Sequence, residues 1–403
     1  MPTDPDPVPT GGVERTLRDA VHSGRVPGVL AAVDRPREGT EVHVLGDDGA
    51  GRSLRRDTVV RIASITKPVV AVAALGLVED GALDLHGPLT EWLPELARPR
   101  VLRHEAAELD DTVPARRDIT LADLLSYRCG AGMLPRPTAD LPVQRAYADA
   151  RLGSDGPPGR YQPPPPDEWL RRLAAIPLVA QPGARWLYQT SGDLLGVLLA
   201  RVCGRGLPDL LRDRVFAPLG MTDTGFHVPE AKLDRFVPQL AADPGGGFGV
   251  VDPVRGAWAA PPPFPSGAAG LVSTLDDLLA FAGALRDGGG PLLGPGTVAE
   301  LTTDRLSEVQ RADAAMFLDG AGWGFGLCVE PGGRYGWDGG LGTGWRSDPR
   351  TGVISLLLTQ VMWTDADGPA QLHAFRAAAH APPPPVAPGS TGVTAGGADE
   401  LSG

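Results

Sequence analysis

Residues 57–81 read DTVVRIASITKPVVAVAALGLVEDG, and this stretch decides the fold. Its first part, TVVRIA at 58–63, is typical of a strand because it is rich in β-branched residues. From Ser64 onward comes an apolar run that is too long for a strand and ends at Gly81, which indicates a helix. Apolar side chains cover almost the whole circumference of this predicted helix, so we expect it to be buried between layers of the fold.

Secondary-structure patterns on both sides of this stretch indicate an antiparallel sheet. Hydrophobic periodicity predicts a helix at 13–23 and a hairpin of two strands at 29–33 and 40–45. Beyond residue 265, strand patterns follow one another with few helices between them. Consecutive strands without intervening helices favour antiparallel pairing. We therefore predict an α/β fold with an antiparallel sheet flanked by helices.

The middle of the chain has a different pattern, in which short helical segments alternate with proline clusters. We predict that residues 104–250 form an inserted all-helical domain, and that 11–103 and 251–380 together form the α/β domain. The low-complexity ends, 1–10 and 381–403, are predicted to be disordered tails.

Composition excludes several classes of function. The 403 residues carry 37 basic and 49 acidic side chains, and this net charge of −12 argues against a nucleic-acid or anionic-membrane partner. No apolar run reaches the roughly 18 residues of a membrane span, and no secretory signal is visible, so we predict a cytoplasmic location. Nucleotide-binding glycine motifs and metal-ligand spacings are absent from the sequence, and we expect neither cofactor nor metal. Cys129, Cys203 and Cys328 are predicted to be reduced thiols.

The first candidate for chemistry is the S-x-x-K formed by Ser64 and Lys67 at the start of the apolar helix. Positions i and i+3 share a helix face, so the Lys67 amine can reach the Ser64 hydroxyl. A serine hydroxyl becomes a nucleophile when a base removes its proton, and a buried lysine with a lowered pKa can be that base. Lys67 and Lys232 are the two lysines of the sequence, so arginine carries nearly all other positive charge. The alternative is that Ser64 is an N-cap and Lys67 a solvated charge.

Two further segments carry side chains suited to a site. Tyr188 precedes a predicted helix that is capped by Thr190 or Ser191, and a phenol there can relay protons or act as a general base. Its alternative role is an aromatic contact beside the helix cap. The segment YGWDGG at 335–340 has strand glycines that let a ligand approach the backbone, and its alternative is a glycine-rich hairpin.

These three segments occur in an order typical of a known family: SITK at 64–67, YQT at 188–190 and WDG at 337–339. The chain resembles the serine beta-lactamase-related hydrolases of the class C type, which include beta-lactamases, D,D-peptidases, family VIII esterases and transesterases. The resemblance covers about residues 13–380 and includes flanking phrases such as QPGARWLYQTSGDLLGVLLARVCG. It implies a beta-lactamase/transpeptidase-like fold.

The resemblance also implies a role for each motif residue. Ser64 matches the nucleophile that becomes acylated, Lys67 the base that activates it, and Tyr188 the residue that relays protons. The backbone N–H groups of Ser64 and Gly340 match the oxyanion hole. The predicted substrate contacts are Thr190, Trp337, Asp338 and Gly339.

Two departures from the family pattern bear on the substrate. Thr190 replaces the Asn of the second motif, and Trp337 replaces the Lys or His of the third, which removes a polar or cationic group facing a substrate carboxylate. We therefore expect a carboxylesterase that acts on small neutral esters through an acyl-serine intermediate. The alternative is an acyltransferase or transesterase of natural-product (antibiotic) biosynthesis, with an alcohol or amine as acceptor. A beta-lactamase, a D,D-peptidase and a non-catalytic binding or sensor protein fit the sequence less well.

Overall fold

A computed structural model describes residues 12–134, 141–153, 162–364 and 368–381, so the predicted tails lie outside it apart from Ala381. In chain order, its α-helices are α1 (Val13–His22), α2 (Thr66–Glu79), α3 (Leu121–Leu125), α4 (Pro142–Asp149), α5 (Pro166–Ala174), α6 (Thr190–Cys203), α7 (Leu207–Leu211), α8 (Ala217–Leu219), α9 (Leu275–Arg286), α10 (Pro295–Leu301), α11 (Glu308–Asp313), α12 (Ala315–Leu318) and α13 (Ala370–Ala379). A turn of π-helix, Arg212–Phe216, joins α7 to α8.

The strands of the described residues form one main sheet and three short pairs. They are β1 (Gly28–Arg35), β2 (Gly39–Gly46), β3 (Val60–Arg61), β4 (Arg100–Leu102), β5 (Thr112–Pro114), β6 (Gln239–Ala242), β7 (Phe248–Asp252), β8 (Val272–Ser273), β9 (Gly322–Trp323), β10 (Cys328–Val329), β11 (Tyr335–Gly336), β12 (Asp338–Gly339), β13 (Thr343–Ser347) and β14 (Ile354–Leu358). The main sheet has the order β2-β1-β14-β13-β11-β10-β9, with β12 also paired to β13. Its pairings are antiparallel, as predicted, and its first two strands are the predicted hairpin.

Both faces of the main sheet are covered by helices, which explains the continuous apolar run of β1. Successive side chains of a strand point to opposite faces. Val29, Ala31 and Val33 therefore pack with α1 and α13, whereas Leu30 and Ala32 belong to the cluster that contains α2 and α9. The predicted arrangement of an antiparallel sheet flanked by helices is thus present.

Helix α2 is the buried helix predicted from residues 57–81. Every side chain from Thr66 to Leu75 is buried. A 3-10 turn at Ala63–Ile65 leads directly into the helix and carries Ser64. Because the turn and the helix are continuous, Ser64 and Lys67 keep the helical spacing that brings their side chains together.

The region 104–250 is mostly helical but contains strands that the sequence analysis did not predict. It holds α3 to α8, and also β5, which pairs with β4, and the hairpin of β6 and β7. These strands have only three to five residues each, which is too short for a clear alternation of polar and apolar positions. Leu121 and Leu194 from this region share one hydrophobic cluster with α2 and α9. The two predicted domains therefore share a core, and their boundaries stay a prediction.

The cysteines and the possible membrane spans are the subject of two other predictions. Cys129, Cys203 and Cys328 are free thiols, as predicted. Within the described ranges, no helix is both long enough and apolar enough to cross a bilayer.

Candidate active site

Ser64 lies at the point where β3 gives way to α2. The Ile62 N–H donates to the Leu271 carbonyl (3.0 Å), and the Ile62 carbonyl accepts from the Thr343 hydroxyl (3.1 Å), so two neighbouring segments hold the turn. Ala63 has a φ of 45°, a conformation that costs a non-glycine residue about 1 kcal/mol or more. This constrained turn places Ser64, a residue that is only 8% exposed, at the start of the helix.

Lys67 is the buried partner of Ser64. Its Nζ atom lies 2.8 Å from Ser64 Oγ, 2.8 Å from the Ala268 carbonyl oxygen and 3.0 Å from Gln189 Oε1. Burial lowers the pKa of Lys67 from its ordinary value to about 7, and the negative charge of Asp193 opposes this shift. A substantial fraction of Lys67 is therefore a neutral amine near pH 7, which is the form that can accept the Ser64 proton.

Tyr188 reaches Ser64 from the other side. Its hydroxyl lies 2.9 Å from Ser64 Oγ, and its ring is 4.3 Å from Lys67 Nζ. Two backbone hydrogen bonds with Met133 (both 2.9 Å) fix the strand-like segment that carries it. Burial raises the pKa of Tyr188 to about 12, although hydrogen bonds from its neighbours act against this. Tyr188 is thus a protonated phenol at neutral pH, which suits a proton relay better than an ionised base.

Trp337 completes the group through a hydrogen bond that sequence reasoning did not predict. Its indole Nε1 donates to the Tyr188 hydroxyl at 2.9 Å. Trp337 packs edge-on against Trp323 (4.8 Å between centroids), while Phe317 and Trp186 stack on Tyr188 at 4.7 and 5.5 Å. An aromatic wall of Trp186, Phe317, Trp323 and Trp337 therefore surrounds Tyr188, whose hydroxyl contacts Ser64.

Asp338 and Gly339, predicted as substrate contacts, both have close partners within the protein. The Asp338 carboxylate pairs with Arg346 (2.8 and 2.9 Å) and Arg376 (2.7 Å). Burial by itself raises the pKa of Asp338, but the two arginines hold it below its ordinary value. A Cβ atom on Gly339 would overlap the carbonyl oxygen of Ile62, so glycine here lets β12 lie against the turn of Ser64. Both residues support the turn and the sheet beside Ser64, and their contact with substrate stays a prediction.

Gly340 is the residue predicted to supply the second N–H group of the oxyanion hole. It follows β12 directly, is exposed, and a Cβ added to it would meet open space. Because Gly339 packs against the residue two positions before Ser64, the chain around Gly340 borders the start of α2. The oxyanion hole formed by the N–H groups of Ser64 and Gly340 stays a prediction.

The start of α6 differs from the prediction. Neither Thr190 nor Ser191 caps the helix: α6 begins at Thr190, and Gln189 occupies the N-cap position. The Ser191 hydroxyl donates instead to Cys129 Sγ (3.2 Å), and the Thr190 N–H donates to the Tyr188 carbonyl (3.1 Å). Thr190 is almost fully buried, and its contact with substrate stays a prediction.

Gln189 and Asp193 are residues of this site that sequence reasoning missed. Asp193 is buried and accepts from the Ser266 hydroxyl (2.5 Å) and the Ala268 N–H (3.2 Å). Burial raises the pKa of Asp193, and the nearby Lys67 opposes that shift. Asp193 stands four residues after Gln189, so both could have been found as polar residues at the start of an apolar helix.

Comparison with known proteins assigns the chain to a protein family. The sequence model of the Beta-lactamase family matches residues 13–380. The chain belongs to the beta-lactamase family. Protein Rv1367c of Mycobacterium tuberculosis is 36% identical over 373 residues, which are 87% of this chain and 89% of that protein. Esterase EstB of Burkholderia gladioli is 33% identical over 394 residues, 89% of this chain and 92% of EstB.

Solved structures agree with the family assignment. EstCE1, described as a hydrolase with promiscuous acyltransferase activity, has a TM-score of 0.75 and 26% sequence identity, covering 91% of this chain and 97% of its own. The resemblance inferred from the three motifs and the beta-lactamase/transpeptidase-like fold are therefore confirmed.

Proposed function

We propose that this protein is a serine hydrolase that forms an acyl-enzyme on Ser64, and that it is a carboxylesterase acting on neutral esters. The observation that carries the proposal is the position of the Ser64 hydroxyl, 2.8 Å from the Lys67 amine and 2.9 Å from the Tyr188 hydroxyl. A nucleophile within hydrogen-bond reach of a base, and of a second proton-carrying group, is the arrangement that acyl transfer requires.

The proposed acylation uses each group once. Neutral Lys67 takes the Ser64 proton while Oγ bonds to the ester carbonyl carbon. The negative oxygen of the tetrahedral intermediate is stabilised by the N–H groups of Ser64 and Gly340. The bond to the leaving oxygen then breaks as Tyr188 gives that oxygen its proton, which leaves Tyr188 as a phenolate and Lys67 as an ammonium. In the second half of the reaction, the phenolate takes a proton from the attacking water. Lys67 then returns its proton to Ser64 Oγ as the acid is released.

The preference for neutral esters rests on Trp337. Its side chain carries no charge, and its single N–H is already donated to Tyr188. A substrate carboxylate placed against this indole would lose water without gaining an ion pair, which is unfavourable. The relative EstB is named an esterase, which supports the same substrate class. Beta-lactams and D-Ala-D-Ala peptides, which carry that carboxylate, are expected to be poor substrates.

The test compares kcat/KM for p-nitrophenyl butyrate and for a chromogenic cephalosporin on one preparation, with Ser64→Ala as the control. We expect the ester to be preferred and Ser64→Ala to be inactive but folded, because Ser64 caps no helix and the hydrogen bonds that its hydroxyl makes with Lys67 and Tyr188 each contribute only about 0.5–1.5 kcal/mol. A fluorophosphonate should attach to Ser64, as mass spectrometry of the tryptic peptide would show. Preference for the cephalosporin would contradict the substrate class, and absence of any adduct would favour a binding or sensor protein.

A second candidate function is transfer of the acyl group to an alcohol or amine. The similarity to EstCE1, whose description includes acyltransferase activity, and the aromatic wall around Tyr188 favour it. Trp186 and Trp323 are fully buried, so the wall keeps water away from its side of the acyl-enzyme and gives an organic acceptor more time to react. Products should then be measured with and without an added alcohol. Turnover that depends on the acceptor would make acyl transfer the main activity. That the acceptor is a natural product, and that the protein is cytoplasmic, are further parts of the proposal.

A further inference from the structure

Gln189 has an unusual backbone conformation directly after Tyr188. Its φ of 75° and ψ of −66° place it at the centre of a γ-turn, which the hydrogen bond from the Thr190 N–H to the Tyr188 carbonyl (3.1 Å) closes. This form of the γ-turn is rare and strained, above all for a residue with a long side chain. The surrounding structure must therefore hold Gln189 in place, and the conformation directs its side chain towards Lys67.

The Gln189 side chain contacts Lys67 through its oxygen. Oε1 lies 3.0 Å from Lys67 Nζ, and the oxygen faces the amine because an amide NH₂ there would oppose one donor with another. Within the described part of the chain, Nζ has two further hydrogen-bond partners, the Ala268 carbonyl (2.8 Å) and Ser64 Oγ (2.8 Å). The ammonium form of Lys67 has three N–H donors, so these partners use all of them.

When Lys67 is a neutral amine, its three partners determine the direction of its lone pair. It has two N–H donors and one lone pair, and two of the three partners, Gln189 Oε1 and the Ala268 carbonyl, can only accept. Both N–H donors are therefore directed to these two oxygens. The lone pair is left facing Ser64, which is the one partner with a proton to give.

We propose that Gln189 is a positioning residue that fixes the rotation of the Lys67 amine so that its lone pair faces the Ser64 hydroxyl. The proposal rests on the proposed function, because it assigns Gln189 a part in activating the nucleophile. The carboxamide that contacts Lys67 thus belongs to Gln189, the residue directly before Thr190.

The other titratable groups facing Lys67 are Asp193 from α6 and Tyr188. Asp193 acts through the Ala268 loop: its carboxylate accepts from the Ala268 N–H, while the Ala268 carbonyl accepts from Lys67. Tyr188 contacts Lys67 through its ring. Substitution of Gln189 therefore changes one direct contact of the amine and leaves these two groups in place.

Two substitutions should move the pH profile in opposite directions. Gln189→Glu keeps the size of the side chain but places a negative charge beside Lys67, which favours the ammonium form and shifts the acidic limb of kcat/KM to higher pH. Gln189→Met removes the acceptor, so the ammonium form loses a hydrogen bond and the limb shifts to lower pH. At the plateau, Gln189→Met should be slower by about tenfold, the value of one hydrogen bond.

The experiment measures kcat/KM for p-nitrophenyl butyrate and the rate of fluorophosphonate labelling of Ser64, both against pH. Gln181→Glu and Gln181→Met are the matched controls, because the Gln181 side chain hydrogen-bonds to backbone groups of Arg116 and Pro114 instead. We expect the controls to keep the wild-type limb and the two Gln189 variants to move it in opposite directions. Thermal unfolding of every variant checks the fold.

Each outcome decides the proposal. Limbs that stay at the wild-type pH, or that move in the same direction, would overturn the role of Gln189 even if the wild-type protein is labelled. If Gln189→Glu does not fold, the pH profile of Gln189→Met decides alone. An acidic limb of kcat/KM that stays at the wild-type pH in Gln189→Met would then overturn the proposal. Failure of the wild-type protein to be labelled at Ser64 would instead contradict the proposed function itself.

Discussion

The hydrogen bond between Trp337 and Tyr188 leads to a prediction about leaving groups. Trp337→Phe keeps an aromatic ring in the wall but removes the indole N–H that donates to the Tyr188 hydroxyl at 2.9 Å. This hydrogen bond lowers the pKa of a phenol that burial raises. Without it, Tyr188 becomes a weaker acid, and negative charge that develops on its oxygen in the transition state loses a donor.

The magnitude follows from the charge on Tyr188. A hydrogen bond to a charged group contributes about 1.5–3 kcal/mol, which corresponds to roughly 10- to 150-fold in rate. That loss applies when Tyr188 must give its proton to the leaving oxygen. Ethyl butyrate releases a basic alkoxide that needs the proton, whereas p-nitrophenyl butyrate releases a stable phenolate that does not. Trp337→Phe should therefore lower kcat/KM strongly for the ethyl ester and weakly for the p-nitrophenyl ester.

Both substrates form the same butyryl-enzyme, and kcat/KM covers the steps up to acylation, so the comparison isolates departure of the leaving group. Trp169→Phe is the matched control, because it removes a buried indole hydrogen bond to the Leu152 carbonyl (3.0 Å) outside the site. The control variant should be less stable but should keep the wild-type ratio of the kcat/KM values for the two esters. An equal effect of Trp337→Phe on both esters would refute the role of Tyr188 as donor to the leaving group.

Three further predictions concern the base and its surroundings. Lys67→Arg should be nearly as inactive as Lys67→Ala in ester hydrolysis, because arginine keeps its proton at working pH; substantial activity with arginine would require another base. The kcat/KM of the wild-type protein should fall about tenfold per pH unit below the pKa of Lys67, near pH 7, because protonation removes the base; a profile that stays flat down to pH 5 would contradict this. Gly339→Ala should lower the free energy of unfolding in urea by about 1–3 kcal/mol, because a Cβ overlaps the Ile62 carbonyl, whereas Gly340→Ala should change it by less than about 0.5 kcal/mol; equal effects would argue against the packing of β12.

The parts of the site that sequence predicted are those set by local geometry or by the family motifs. Ser64 and Lys67 share a helix face, so their contact follows from their spacing. Tyr188 is 124 residues from Ser64, and no periodicity connects the two. Their proximity was predicted from the order of the motifs, because it depends on how the strands and helices of the whole fold assemble.

The contacts that sequence did not predict depend on where side chains meet in space. The ion pairs of Asp338 are one example, because its partners Arg346 and Arg376 come from β13 and α13, later in the chain. Gln189 was overlooked because serine and threonine are the usual N-caps, and they follow it directly. Ser191 is engaged by Cys129 instead, a contact between α6 and the segment after α3 that sequence spacing does not reveal.

The position of Asp193 explains how a buried lysine here can remain a base. A carboxylate in direct contact with Lys67 would stabilise the ammonium form and keep the amine protonated at neutral pH. Asp193 instead accepts from the Ser266 hydroxyl and the Ala268 N–H, and what reaches Lys67 is the neutral carbonyl of Ala268. The negative charge thus fixes the loop that positions the amine, while its effect on the pKa of Lys67 is smaller than that of burial. Both features are needed together, since burial without an anchored carbonyl would leave the amine unoriented, and an ion pair would leave it without a lone pair for Ser64.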